Sequence, residues 1–250
     1  MLKISVATVC FNSAATIEST ILSVINQTYN DIEYLIIDGK SSDETLSIVN
    51  SFADDNEIIV VSEPDKGLYD AMNKAADLAS GDYILYMNSG DVFATNDVIE
   101  KVVPFLHDSI DMCYGNVIRI KEDGEHLEKY HGRHKELKLA LQGKMMCHQS
   151  MFTKVKVMRK YRFNLEYSIT ADFDFVNRLL RDKKRIEYVD IAVSKVDNIE
   201  GISSSIENID KMRYQDDLSI KRNFPIWYKL IWLPKKMFRA FKRIEEKKIR

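Results

Sequence analysis

Apolar positions recur with two periods along this chain, and the switches between them mark its elements. Residues 3 to 9, with Ile4, Val6, Ala7 and Val9, read as a buried strand. From Ala15 to Gln27 the period becomes helical, with Ile17, Ile21, Leu22 and Ile25 on one side. Ile32 to Asp38 reads as a second strand, and Ser41-Ser42-Asp43-Glu44 after it as a helix N-cap with acid in the first turn. Ile58 to Val61 is a third strand, Leu68 to Ala79 a helix, and Tyr83 to Met87 a fourth strand. Strand and helix alternate with connections that suit parallel β-α-β units, which predicts an α/β fold with a doubly wound sheet through about residue 110. Beyond it the pattern loosens. Met112 to Ile120 and His126 to Tyr130 read as a hairpin about Lys121-Glu122-Asp123-Gly124, a small antiparallel addition to a mostly parallel sheet. C-terminal helices are expected over Ala171 to Arg181 and Glu207 to Lys221, and one or two more in the tail, broken at Pro234.

At 250 residues and 45% hydrophobic content the chain can bury a substantial core. The expected organisation is one domain over residues 1–224, comprising a half at 1–110 and a second half at 111–224, followed by a basic aromatic tail at 225–250. The net charge of −2 hides an asymmetry, because the tail carries nine cations and two anions, a net +7, which leaves −9 on the preceding 224 residues. An acidic body is a poor nucleic-acid binder. The tail interleaves its cations with Trp227, Tyr228, Ile231, Trp232, Leu233, Met237 and Phe238, the composition of a segment that lies on an anionic membrane, and packing of those aromatics on the body is the alternative. Cys10, Cys113 and Cys147 are odd in number and widely spaced, which suggests neither disulfides nor zinc and fits a reducing cytoplasm. The first apolar run is too short for a signal peptide, and no run of about 18 apolar residues predicts a membrane-spanning helix.

The chemistry-bearing residues gather where strands end. Thr8 and Asn12 follow the first strand and Asp38 ends the second, so a hydroxyl, an amide and a carboxylate can converge on a base and ribose at the carboxyl edge of the sheet. Ordinary turn chemistry accounts for Asp38-Gly39-Lys40-Ser41 equally well. Ser62 to Asn73 and Gly81 to Asp91 add further carboxylates and amides, and together they point to a nucleotide-diphosphate site. Asn88-Ser89-Gly90-Asp91 offers oxygen ligands of the kind that hold Mg2+ or Mn2+ against a diphosphate, and it is also a common loop composition. His131 and His134, three residues apart in a polar setting, read as a solvated segment.

In combination and order, Thr8 to Asn12, Ile36 to Asp43, Ser62 to Asn73, Gly81 to Asp91, Cys147 to Phe152, Tyr167 to Asp174 and Gly201-Ile202-Ser203 resemble the family 2 glycosyltransferases with the GT-A fold, in the branch that builds bacterial exopolysaccharide and O-antigen. The resemblance covers roughly residues 3 to 205. It implies that Thr8, Asn12, Asp38, Asp65, Lys66, Asn73, Asn88 and Asp91 bind a nucleotide-sugar donor, with Asp65 and Lys66 near the base. The family's metal motif, Asp-x-Asp or Asp-x-Asp-Asp, is altered here to Asn88 and Gly90, which leaves Asp91 as the ionic ligand for Mn2+ or Mg2+. Thr170-Ala171-Asp172-Phe173-Asp174 matches the context of the catalytic base, with Asp172 at that position and Asp174 its competitor; either is also plausible as a helix cap. His148 and Gln149 are expected to hydrogen-bond acceptor or phosphate oxygens, and a lone histidine beside the apolar Met151-Phe152 strand reads equally well as a satisfied structural residue.

The expected activity is inverting transfer of a sugar from a nucleotide diphosphate, UDP first among the donors, to a hydroxyl of a growing bacterial polysaccharide or lipid-linked glycan, at the inner face of the cytoplasmic membrane. The alternative is a non-catalytic subunit that binds a nucleotide sugar or serves as scaffold in a polysaccharide assembly complex, for which the altered motif at Asn88 and Gly90 argues. A nucleotidyltransferase would need a basic Gly-rich phosphate loop near the first strand, which this sequence lacks.

Overall fold

The structure is a computed structural model describing residues 1–54, 56–130, 137, 140, 146–197 and 206–234. The first half alternates as its periodicity predicts: β1 (Ile4–Cys10), α1 (Ile17–Ile25), β2 (Ile32–Asp38), α2 (Thr45–Ala53), β3 (Ile58–Ser62), α3 (Leu68–Leu78) and β4 (Tyr83–Tyr86). There follow β5 (Val92–Phe93), α4 (Val98–Val102), β6 (Met112–Lys121), β7 (Gly124–Glu128), β8 (Met151–Lys154), α5 (Val155–Tyr161), α6 (Ala171–Arg181), β9 (Ile186–Asp197), α7 (Ile206–Asn223) and α8 (Pro225–Trp227). Among the described residues the strands form one sheet in the order β3-β2-β1-β4-β8-β6-β9-β5, with β7 paired to β6. β3, β2, β1 and β4 are mutually parallel; β8 runs antiparallel to both β4 and β6.

Alternation along the central strands divides the core between the two faces. Ala7, Val9, Leu35 and Ile37 face α3 through Met72, Ala75 and Ala76, whereas Ile4, Val6, Tyr34 and Ile36 meet Ile17, Ile21 and Val24 of α1 and Val49 of α2. Every residue of β1 is buried, as expected of a central strand covered on both sides.

Several expectations need correction. α1 is shorter than Ala15 to Gln27, and α2 begins at Thr45, after the acids, because Asp43 Oδ1 accepts the Thr45 N–H (3.1 Å) from outside the helix while Oδ2 accepts the Ala14 N–H (3.1 Å). The hairpin about residues 121–124 is present, but β8, α5 and β9 join it. β9 escapes a period-2 reading because its pairing with β6 shifts register on either side of Asn116, which scrambles the in-out alternation. In the tail, helical backbone runs through Leu233 and Pro234, and the expected break at Pro234 falls where the described residues end. A π-turn over Tyr228–Trp232 precedes them.

Two contacts between elements bear on the site. Asn73, expected at the nucleotide, is buried in α3 with its amide on the backbone of Phe163: Nδ2 donates to the carbonyl (2.9 Å) and Oδ1 accepts the N–H (2.8 Å). Phe163 in turn packs its ring against Tyr69, Tyr86 and Phe175, so the Asn73 amide helps to join α3, β4 and α6. The second contact is between α6 and α7, and it is largely polar. Asp174 accepts hydrogen bonds from Arg178 Nε (2.7 Å), Ser219 Oγ (2.9 Å) and Asn223 Nδ2 (3.2 Å), and Asn177 Nδ2 donates to Ser219 Oγ (3.0 Å). Tyr228, Ile231 and Trp232 of the tail close one end of this pair against Phe173, Ile220 and Phe224, and the Trp232 indole N–H donates to Asp217 (2.9 Å).

Replacing Asn73 with alanine strands two buried backbone groups and is expected to cost about 1–3 kcal/mol in urea unfolding with nucleotide affinity unchanged; an unmoved urea midpoint contradicts this role. On α7, burial pushes the Asp216 carboxyl up from its ordinary 3.8 to about 7, and the charge of Asp172 adds to the shift. A folded-state value above the unfolded one favours folding at low pH, and that advantage is lost as pH rises from about 4 through about 7. Asp216→Asn is therefore expected to raise the thermal midpoint more at pH 8 than at pH 5. Equal shifts at the two pH values would contradict the assignment.

Candidate active site

The carboxyl ends of β1, β2, β3 and β4 lie side by side, and the turns that leave them form one wall of the site. Asp38 is fully buried there: its carboxylate accepts the Ser41 N–H (3.0 Å), Ser62 Oγ–H (2.6 Å) and the Ser41 hydroxyl. Asn12 adopts a left-handed backbone (φ 49°), donates its N–H to Ser41 Oγ (2.8 Å) and accepts the Ser42 N–H at Oδ1 (2.9 Å). Thr8 is not brought to the site, since its buried hydroxyl bonds the Tyr34 hydroxyl (2.9 Å). The hydrogen bonds of these three residues thus stitch β1 to β2 and the turn after it.

What the wall exposes is Phe11 and Asp65. A Cβ on Gly39 would come within 2.5 Å of Asp65 Oδ2 and 3.3 Å of the Phe11 ring, so glycine lets both side chains close over the β2 turn. Phe11 is 61% exposed, an aromatic face presented at a sheet edge beside a carboxylate. Phe11 belongs to the Thr8 to Asn12 strand-end motif, and the signal that marks it in the sequence is an aromatic residue directly after a buried strand. Asp65 Oδ1 also accepts the Gly67 N–H (2.7 Å), and Asp70 Oδ2 accepts the Lys66 N–H (2.9 Å), which fixes the start of α3 and leaves the Lys66 side chain at the surface.

The opposite wall is built from α6 and the turn before β8. Asp172 lies in the first turn of α6, where the helix dipole favours an anion. Its Oδ1 accepts the Phe173 N–H (2.9 Å) and meets the Tyr69 hydroxyl (3.0 Å), which also reaches the Ile169 carbonyl (2.7 Å). Its Oδ2 is 3.1 Å from His148 Nδ1, and His148 Nε2 is 2.8 Å from Asn88 Nδ2. Because the Asn88 amide N–H can only donate, Nε2 accepts and Nδ1 carries the proton toward Asp172. Gln149 Nε2 likewise donates to Asp91 Oδ2 (2.8 Å), and Gln149 Oε1 receives the Cys147 thiol, which burial pushes up to about 12 and so keeps protonated. His148, expected with Gln149 on the acceptor, thus bridges the loop after β4 to α6, and Gln149 ties the same loop to Cys147. Asp174, the competitor of Asp172, is buried among Arg178, Ser219 and Asn223 and does not open to this wall.

Among the described residues no group of three or more His, Cys, Asp and Glu is placed to hold a metal. Asn88 Oδ1 is nonetheless a buried acceptor with no hydrogen-bond partner among them, and it shares its loop with the Asp91 carboxylate. Two oxygen donors on one turn fit a hard cation whose remaining ligands come from a diphosphate. His131, His134, Gly201 and Ser203 lie outside the described residues, as do the tail cations from Lys235 onward.

A family model described as glycosyl transferase family 2 matches residues 5–188. The chain is 31% identical over 206 residues to the PGL/p-HBAD biosynthesis glycosyltransferase of Mycobacterium bovis, across 80% of this chain and 78% of that protein. It is 34% identical over 113 residues, 45% of each chain, to the Escherichia coli UDP-Glc:alpha-D-GlcNAc-diphosphoundecaprenol beta-1,3-glucosyltransferase WfgD. In structure it is similar to Staphylococcus aureus TarS 1–349 in complex with UDP-GlcNAc, with a TM-score of 0.69 at 17% identity over 88% of this chain and 67% of that one. It is also similar to the Pyrobaculum calidifontis mannosyltransferase PcManGT in complex with GDP-Man and Mn2+, with a TM-score of 0.64 at 16% identity over 90% and 63%. The match to the family model across most of the chain, on a sheet whose strand ends carry these turns, makes the protein a member of the family 2 glycosyltransferases, with a GT-A-like fold.

Proposed function

We propose that the enzyme transfers a sugar from a UDP donor to a hydroxyl of a lipid-linked or polymeric bacterial glycan, with inversion at the anomeric carbon and Asp172 as general base. The observation that carries this reading is the Asp172 carboxylate, oriented by Tyr69 and His148 at a helix start and tied through His148 to the loop of Asn88 and Asp91. A carboxylate held in that way can take the proton of an attacking hydroxyl as its oxygen bonds to the anomeric carbon, while the bond from that carbon to the diphosphate breaks on the opposite side. A single displacement of this kind inverts the configuration. Phe11 offers its face to the nucleotide base and Asp65 an acceptor beside it.

Asn88 Oδ1 and Asp91 would hold Mn2+ or Mg2+ together with the diphosphate, and the ion would supply positive charge against the leaving phosphate. A UDP donor is supported by the UDP-GlcNAc bound to TarS and the UDP-Glc in the name of WfgD, whose name also gives a diphosphoundecaprenol-linked acceptor. The test measures UDP release from UDP-glucose and UDP-N-acetylglucosamine, with GlcNAc-diphosphoundecaprenol as acceptor, in Mn2+ and in EDTA. Asp172→Asn is expected to lose roughly 10²- to 10⁴-fold in rate with UDP affinity retained, because the amide keeps the shape and cannot take the proton. Wild-type turnover in Asp172→Asn removes the base assignment, and full activity in EDTA removes the cation.

We further propose peripheral attachment of the tail to an anionic membrane, at the cytoplasmic face. No helix among the described residues is long and apolar enough to cross a membrane. The tail instead turns Ile226 and Leu230, 69% and 67% exposed, outward with Trp227, while Tyr228, Ile231 and Trp232 pack inward. Each nearby cation of the sequence that follows adds about 1 kcal/mol at an anionic surface. Truncation would strip Tyr228 and Trp232 from the body, so the test is Ile226→Gln with Leu230→Gln in the full chain. Sedimentation with phosphatidylglycerol vesicles at low salt should pellet the wild type and leave the double variant in solution. Identical partitioning of the two refutes the assignment.

A further inference from the structure

The turn that delivers Asp172 to the site is held from a helix that contributes nothing to the donor wall. Ser168, Ile169 and Thr170 precede α6, and the helix has no side-chain cap of its own at Thr170. Two of the N–H groups left open at that end, those of Ile169 and Thr170, both donate to Oε1 of Gln215 on α7, at 3.0 and 3.2 Å. The Gln215 amide nitrogen donates to Ser168 Oγ at 3.1 Å, so one side chain grips three consecutive residues. It does so while 4% exposed, and a leucine would fill such a space by packing alone. On the other side of the same turn the Tyr69 hydroxyl reaches both the Ile169 carbonyl and Asp172 Oδ1. Packing alone tolerates small slides of one helix on another, whereas two N–H groups converging on one oxygen do not.

We infer that Gln215 is a positioning residue for the general base, setting where Asp172 stands against the donor through the Ser168–Thr170 turn. This rests on reading Asp172 as the base. Displacement of a reacting group by about 1 Å can cost 10²-fold in rate, so the grip acts on turnover more than on binding. Among the described residues the hydrogen bonds of the Gln215 side chain go to Ser168, Ile169 and Thr170, away from the donor wall at the ends of β1 to β4.

The test compares Gln215→Leu, Gln215→Glu and Asp172→Asn in the full chain, by steady-state UDP release from the donor that supports turnover and by calorimetry with UDP. Gln215→Leu is expected to lower kcat about 10- to 100-fold with donor KM and the Kd for UDP within about twofold of wild type. Gln215→Glu keeps an oxygen for both N–H groups and is expected to recover most of that loss above neutral pH. Its charge joins the titratable groups that face Asp172, which are Tyr69 on α3, Cys147 and His148 before β8, and Asp216 on α7. The acid limb of its kcat profile should accordingly move up by about one pH unit. Wild-type kcat in Gln215→Leu overturns the inference, as does a parallel loss of kcat and UDP affinity, or a glutamate variant as slow as the leucine one at every pH. Should Gln215→Leu not fold, Gln215→Glu decides alone, and a profile superimposable on the wild type's overturns the inference. An active Asp172→Asn removes the base reading and this inference with it, whereas an inactive Asp172→Asn beside an unimpaired Gln215→Leu removes this inference only.

Discussion

A partly buried carboxylate must be supplied with donors, and the donors around Asp172 come from separate parts of the chain. Tyr69 arrives from α3, His148 from the turn before β8, and the Phe173 N–H from α6 itself. Satisfying one anion therefore fixes three segments relative to one another. His148 extends the constraint to Asn88, and its neighbour Gln149 repeats it at Asp91, so the loop after β4 cannot shift without disturbing the turn before β8. Unpaired buried polar groups are costly, which makes such a network an all-or-none arrangement.

The donor wall follows a different economy. Asp38, Asn12 and the Ser41–Ser42 pair hydrogen-bond one another across the ends of β1 and β2, and the result is a rigid turn whose surface is offered by other residues. Gly39 is the small member that lets Phe11 and Asp65 approach over that turn. Polar residues at a strand end thus divide into those that build the turn and those that face outward, and the turn must be formed before the division exists.

The C-terminal helices connect this site to the tail. Gln215, Ser219 and Asn223 recur four residues apart along one face of α7 and present polar groups to α6 and the turn before it, while Asp217 turns toward Tyr228 and Trp232. Directional bonds set the register between the two helices, and the apolar cluster of Phe173, Ile220 and Phe224 seals one end of the interface.

The alternating part of the fold was legible in the sequence because its elements carry their own local signals: the predominantly apolar segments Ile4 to Val9 and Ile32 to Ile37, and the helical spacing of Ile17 and Ile21. The motifs also marked Asp172 ahead of Asp174 and drew attention to Asn88 and Asp91. What the sequence could not determine was the assignment of polar side chains to partners. Asn73 and Phe163 are ninety residues apart and Tyr69 and Asp172 more than a hundred, and no local pattern reports such a contact. β9 was hidden for a related reason, since its irregular pairing beside Asn116 exists only once β6 lies next to it. Periodicity is a property of neighbours in the chain, so it specifies elements and faces. Hydrogen-bond satisfaction is a property of neighbours in space, and only the packed structure decided which amides and carboxylates hold the protein together and which remain for a substrate.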